Sequence, residues 1–361
     1  MAFPYGNCAN DNREKGRPMK AILQQMVDGM SVAEKEELLA DLKAAIAEDL
    51  AAGAAGEPGA CPRCGCPRFT RKGRAADGAQ RWLCAGCGRT FSAKTMGLLG
   101  QSKLPPATWM AFAECMADAL SLRESAARCS VSLHTSWFMR MRVCEVMRRR
   151  TPPPRAGSYQ VDGMVVRESL SGNHGRSGWF EMPRKAHRNG QDGRRGETSK
   201  SARSVCVVAG ANEWGDCFCR AACRGVPGQG AIGLVLSDEV PTGSAVVTDG
   251  HKSYGMLGAW GWPHTAVDPA DPAGGNINRV NSLHSRLRDF LRPFHGVATR
   301  RLQSYLDWFC WRERLRCEDG DRRQILYAHE TSGRYESTRR DLVWTPYLDW
   351  WWWARQRSTV V

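Results

Sequence analysis

Residues 276–312 read NINRVNSLHSRLRDFLRPFHGVATRRLQSYLDWFCWR, and their periodicity decides what kind of domain surrounds them. Val280, Leu283, Leu287, Phe290 and Leu291 recur at helical spacing and share one face. Leu302, Tyr305, Leu306, Phe309 and Cys310 do the same after a break at 293–296. The stretch therefore predicts two consecutive amphipathic helices, the second starting near Thr299. Beside the first apolar face runs a polar stripe, Asn281, His284 and Arg288, at i, i+3 and i+7. On an isolated surface helix such a stripe is simply the solvated edge.

Two acids upstream give the stripe a second meaning. Residues 158–166, SYQVDGMVV, predict an apolar strand with Asp162 inside it. A carboxylate there is costly unless it is paired or binds a cation. Further strands are expected at 204–210 and 217–223, a short helix at 230–236, and a fourth strand at 244–247. That last strand runs straight into Thr248-Asp249-Gly250, and an Asp-Gly pair alone is a common turn. Strands followed by helices, with one return through a helix, predict a mixed α/β domain. Two strand-borne carboxylates plus one more oxygen or nitrogen suit hard divalent cations, Mg²⁺ or Mn²⁺, and in-line phosphoryl chemistry.

The rest of the chain points to nucleic acid. Lys and Arg number 51 against 37 Asp and Glu, a net charge of +14 that favours a polyanionic partner. No signal pattern and no long apolar run is present, so a soluble intracellular protein without a membrane partner is expected. Of 15 cysteines, four form Cys61-Pro-Arg-Cys64 and Cys84-Ala-Gly-Cys87. Two thiolate pairs at this spacing close a tetrahedral structural Zn²⁺ site, a zinc ribbon, with Cys66 as a spare thiol. Capping signals at Ser31 and Glu34 predict a helix through Ile46, and AAGAAGEPGA at 51–60 a linker. Residues 103–150 predict three helices. The short second one, capped by Ser121 and Glu124, and the longer third one have the helix-turn-helix pattern. His134, Thr135, Ser136 and Arg140 near the start of the third helix are then the candidate base-contacting residues. The Pro-rich segment 151–155 reads as a stiff boundary. The polar segment 184–200, with Arg184, Lys185, Arg188, Arg194 and Arg195, reads as a basic loop able to clamp DNA. After Glu313 the pattern is irregular up to the run Trp350-Trp351-Trp352-Trp353.

Taken together, Val161-Asp162, Val247-Thr248-Asp249-Gly250 with Tyr254, the block from Asn278 through Asn281, His284 and Arg288, Phe294 to Thr299, and Tyr305 to Phe309 resemble one family. It is the ISXO-like group of bacterial insertion-sequence transposases, the insertion-sequence fifteen-ninety-five family. The resemblance covers about 60–315 and implies a ribonuclease H-like catalytic domain. It also implies a D-D-E or D-D-N metal triad, here Asp162, Asp249 and Asn281, and a basic residue seven positions on, here Arg288. In that pattern Asp162 would bridge two Mg²⁺ ions, Asp249 and Asn281 would each complete one site, and Arg288 would contact a phosphate. Asn281 is a neutral ligand where many relatives carry Glu; His284 is a further candidate ligand and Asp289 a fallback. The implied organisation is a helical segment and linker (1–58), zinc ribbon (59–98), helix-turn-helix (99–150), catalytic domain (156–316) and tail (317–361). The implied function is binding of double-stranded DNA, both element ends and target, by a homo-oligomer at the bacterial nucleoid, with 3′-end cleavage and strand transfer. A non-catalytic DNA-binding regulator and a metal-dependent nuclease without strand transfer are the alternatives.

Overall fold

The computed structural model describes residues 24–53, 58–76, 78–95, 97–169, 171, 204–268, 275–316, 321–333 and 335–344. Helix α1 is Val32–Gly53. It opens on the expected capping box, with the Ser31 backbone N–H donating to Glu34 at 2.7 Å and the Glu34 N–H to Ser31 at 3.3 Å. It runs three residues into the segment expected to be linker, because alanines continue a helix until glycine ends it. Its Leu39, Leu42 and Ile46 are exposed, while Ala47 on the other side is buried. A small antiparallel sheet follows: β1 (Phe69–Arg74), β2 (Gln80–Cys84) and β3 (Thr90–Phe91), in that order. Then come α2 (Pro106–Ala117), α3 (Leu122–Arg128) and α4 (Leu133–Arg150). Pro106 at the first position suits a helix start, Ser121 and Glu124 form a full capping box, and Ser132 caps α4.

Past the Pro-rich segment lies a five-stranded mixed sheet of β4 (Ser158–Arg167), β5 (Ser204–Ala211), β6 (Cys217–Arg224), β7 (Ala245–Thr248) and β8 (His264–Ala266). Its order is β6-β5-β4-β7-β8. β4, β5 and β6 pair antiparallel, whereas β4, β7 and β8 pair parallel. Helix α5 (Gln229–Glu239) makes the crossover from β6 to β7. Helices α6 (Asn278–Leu291) and α7 (Leu302–Arg314) are the pair predicted from their periodicity. The break between them is built from a left-handed His295 (φ 49°) and Gly296 (φ 106°).

Alternation along the strands sorts the core into two layers. Tyr159, Val161, Cys206 and Val208 pack with Ile232 and Leu236 of α5. Met164, Val205, Val207 and Ala209 pack with Val280, Leu283 and Leu287 of α6 and Leu306 and Phe309 of α7. This second layer continues without interruption into α2 and α4 through Trp109, Met116, Val143 and Met147. The 151–155 segment marks where helices give way to strands, but the apolar core is shared across it. Trp308 of α7 donates its indole N–H to the Met116 carbonyl of α2 at 3.1 Å.

Two expectations are corrected. β8 was not foreseen; its three residues are too few and too polar to show a strand pattern, and only pairing with β7 makes them one. The segment after Glu313 is not irregular over its described part. It forms α8 (Arg322–Ser332) and α9 (Arg339–Trp344), and Leu326, Tyr327, Tyr335 and Leu342 join the core. The Trp350-Trp351-Trp352-Trp353 run lies outside the described residues.

Candidate active site

Asp162 sits in the middle of the central strand, on the face covered by α6, since Val161 beside it faces α5. β4 and β7 align Ser158 with Ala245, Tyr159 with Val246 and Gln160 with Val247. Carrying that parallel register two residues further sets Asp162 beside Asp249. Burial raises the Asp162 carboxyl above its ordinary range, and the Asp249 charge adds to the rise. The Gly163 backbone N–H opposes this by donating to Asp162 Oδ1 at 2.7 Å. Asp249 is exposed at the end of β7, where its Oδ1 accepts the His251 N–H at 3.0 Å.

Helix α6 is pinned over these acids at two points. Gln160, buried two residues before Asp162, donates to the Asn276 carbonyl at 2.8 Å and accepts the Arg279 N–H at 2.7 Å. One and a half turns on, His284 Nδ1 lies 3.7 Å from Asp162 Oδ2. Burial, with help from Arg288, holds the His284 imidazole down at about 4, so at neutral pH a neutral ring faces the carboxylate. Its other nitrogen, Nε2, is buried and has no hydrogen-bond partner among the described residues. Asn281 lies between the two anchor points and is exposed, as is Arg288 one turn beyond His284. Asp289, the fallback ligand, is exposed at the helix surface and ion-paired with Arg292. Tyr254 is buried close by: burial, and then the Asp162 and Asp249 charges, raise its hydroxyl, and a Cβ on Gly163 would lie 4.0 Å from that hydroxyl. Gln160 and His251 were missed as site-builders. Gln160 was legible, being a polar residue on an apolar strand, in step with Asp162.

The thiols of Cys61, Cys64, Cys84 and Cys87 all lie within 4.8 Å of one another and could hold a metal ion. Two tight turns bring them there: the Gly65 N–H donates to the Cys61 carbonyl at 2.9 Å, and the Gly88 N–H to the Cys84 carbonyl at 3.0 Å. Both glycines have positive φ, 73° and 66°, which a side chain would resist. Cys61 Sγ to Cys87 Sγ is 3.8 Å and Cys64 Sγ to Cys84 Sγ is 3.5 Å. Tetrahedral zinc with thiolates at about 2.3 Å requires about 3.8 Å between sulfurs. Cys66 stays out of the group and faces the Arg68 carbonyl.

The candidate base-contacting residues divide. His134 is exposed and Thr135 half-buried at the first turn of α4. Ser136 and Arg140 are fully buried, which corrects their assignment to a DNA surface. Ser136 donates to the Leu122 carbonyl at 3.2 Å, locking α3 to α4. Arg140 donates to the Leu120 carbonyl at 2.7 Å and to Ser125 Oγ at 3.2 Å, and it lies over the Trp308, Phe294 and Tyr305 rings. Helix α4 is packed between α3 and α7, so polar residues on it need not be solvent-facing. Arg184, Lys185, Arg188, Arg194 and Arg195 lie outside the described residues.

No helix among the described residues is long and apolar enough to cross a membrane. No curated protein matches the chain. Residues 174–314 match the model of the ISXO2-like transposase domain, a stretch that holds Asp249, Asn281, His284 and Arg288 and begins after Asp162. By that match, the chain carries an ISXO2-like transposase domain.

Proposed function

We propose that the protein is a DNA transposase. Its sheet is read as a ribonuclease H-like catalytic domain, with Asp162, Asp249 and Asn281 as a D-D-N metal triad. The observation that carries this is the β4–β7 register, which sets two carboxylates side by side beneath a helix bearing Asn281, His284 and Arg288. The donor set fits hard divalent cations: two carboxylates and an amide oxygen, with one carboxyl raised by burial and, less, by its neighbour. Mg²⁺ or Mn²⁺, when bound, would lower the pKa of the attacking water or hydroxyl and offset charge on the phosphate.

The side chains supply positioning. Gln160 holds α6 against the sheet, with His284 standing over Asp162, Asn281 one turn before it and Arg288 exposed for a DNA phosphate. In the first reaction a water oxygen bonds to phosphorus and the bond to O3′ breaks, leaving a free 3′-OH and a 5′-phosphate. In the second, that 3′-OH bonds to a target phosphorus and displaces the target's own O3′. One phosphodiester is exchanged for another, so no external energy source is required. The four thiols are read as a zinc ribbon, supported by their spacing, and α3–α4 as a helix-turn-helix presenting His134 and Thr135. Two DNA ends must be joined, so a homo-oligomer is the working form, acting in the bacterial cytoplasm at the nucleoid.

The test is strand transfer in vitro. Purified protein is incubated with Mg²⁺ or Mn²⁺, a fragment carrying the DNA that flanks its gene, and a supercoiled target. Joined products that disappear in Asp162→Ala and Asn281→Ala support the reading. Cleavage without joining would make it a nuclease. End binding without chemistry, unchanged in both variants, would leave a DNA-binding protein on an inactive fold.

A further inference from the structure

A cavity of about 680 Å³ opens at the other end of β4, between the end of α4, the β5–β6 turn, the end of α7 and α8. Arg155 and Asp162 are seven residues apart on a nearly extended chain, so the cavity lies on the order of 20 Å from the acids. Three of its lining side chains are cationic, Arg150, Arg155 and Arg314, and one is anionic, Asp216. Asp216 is fully engaged. Arg155 Nε reaches it at 2.9 Å, Asn212 at 3.2 Å, and Arg314 stands 3.9 Å away. Counting three cations against one anion leaves two positive charges on the wall. His329 adds none at neutral pH, because burial holds its imidazole down. Arg314 Nε is buried without an acceptor among the described residues.

Much of the remaining lining is apolar. Trp214 is 58% exposed on the β5–β6 turn, and Trp311 and Leu315, both buried, also line the cavity. A wall with two net positive charges and aromatic surface asks for an anion carrying a flat ring, which is the chemistry of a nucleotide. Arg148 is exposed beside Arg150 on the same helix end and carries a further positive charge past the cavity, while Arg149 there is paired with Glu145 and Glu336. A second cation beside the cavity suits a polymer better than a free nucleotide. In a duplex the bases are stacked out of reach, so an entering base must be unpaired.

We propose that this cavity takes one unpaired nucleotide of a DNA strand, with its phosphate on the arginines and its base against Trp214. The site is separate from the metal triad and does not rest on it. Anisotropy titrations of the full chain would compare a labelled duplex with a three-nucleotide unpaired end against the same duplex with a blunt end. The unpaired end binds more tightly in wild type. Trp214→Ala weakens it about tenfold, the cost of one lost stacking contact, and leaves the blunt duplex unchanged. Trp214→Phe, which keeps a flat ring, restores most of the difference. Arg150→Gln also weakens the unpaired end, while Asp162→Ala binds as wild type even where it abolishes chemistry. Thymidine monophosphate displaces the unpaired end at concentrations where inorganic phosphate does not. Equal affinity of wild type for both duplexes, equal weakening of both by Trp214→Ala, or equal displacement by phosphate would overturn the proposal.

Discussion

Arg140 offers the sharpest test of how the helices and the sheet are joined. Its guanidinium is fully buried and no carboxylate is paired with it among the described residues. It meets instead the Leu120 carbonyl, Ser125 Oγ, the Tyr305 hydroxyl at 3.4 Å and the Trp308 ring 5.0 Å away, while its buried Nε has no partner among the described residues. Arg140→Met keeps most of the volume and removes every polar contact. The stranded carbonyl and hydroxyl cost about 1–3 kcal/mol each, and the desolvated cation–π contact is worth about 2 kcal/mol. Relief of burying the charge offsets part of this, leaving a net loss of about 4 kcal/mol. The continuous core argues for one cooperative unit, and the roughly 270 described residues give an unfolding entropy of about 0.57 kcal/mol/K at roughly 2.1 cal/mol/K per residue. The melting temperature should therefore fall by about 7 °C. The salt dependence of DNA binding, measured on the folded variant, should keep its slope, since Arg140 contacts no phosphate. A variant that melts with wild type but loses about one unit of that slope would refute the structural role and return Arg140 to the DNA surface.

Three further outcomes are expected. Cys64→Ser lowers bound zinc measured by atomic absorption and loosens the 61–91 region to proteolysis, whereas Cys66→Ser changes neither. Glu330 is completely buried, both of its oxygens lack a partner among the described residues, and burial raises its carboxyl well above the usual range. The folded state therefore holds a proton that the unfolded state releases above about pH 4.5, so wild-type stability declines as pH rises from there. Glu330→Gln removes that decline, and its melting temperature should exceed wild type by more at pH 8 than at pH 5; equal gaps would refute the assignment. A Cβ on Gly210 would lie 2.3 Å from the Phe218 ring, so Gly210→Ala should cost about 1–3 kcal/mol by urea unfolding. Most of that loss should return in the double variant with Phe218→Leu, and an additive double variant would show that the ring is not the obstacle.

Residue periodicity carried most of the fold into view. The α6–α7 pair, the apolar β4 and β5, the two CxxC turns and the capping boxes at Ser31 and Ser121 are local patterns, each set by a few neighbouring residues. What escaped were features decided by distant partners. β8 exists through its pairing with β7, and α8 and α9 through burial of Leu326, Tyr327 and Leu342. Ser136 and Arg140 looked solvent-facing because a polar residue on a helix usually is. A helix enclosed by others has no solvent face to reveal by period alone. In the candidate site, Asp162 was legible as an acid in an apolar strand. The pairing of His284 with it was not, because it depends on where α6 crosses β4.

That crossing gives the architecture a functional consequence. Arg140 and Trp308 tie α2–α4 to α7 through contacts that a sliding interface would break, and α7 shares the core layer on which α6 rests. His134 stands on the first turn of α4, and His284 stands over Asp162 on α6. Between them lie the packed aromatic rings of Phe290, Phe294 and Trp308. Close-packed interiors transmit shifts because they have little free volume in which to absorb them. The first turn of α4 and the setting of His284 over Asp162 are thus joined through one packed layer.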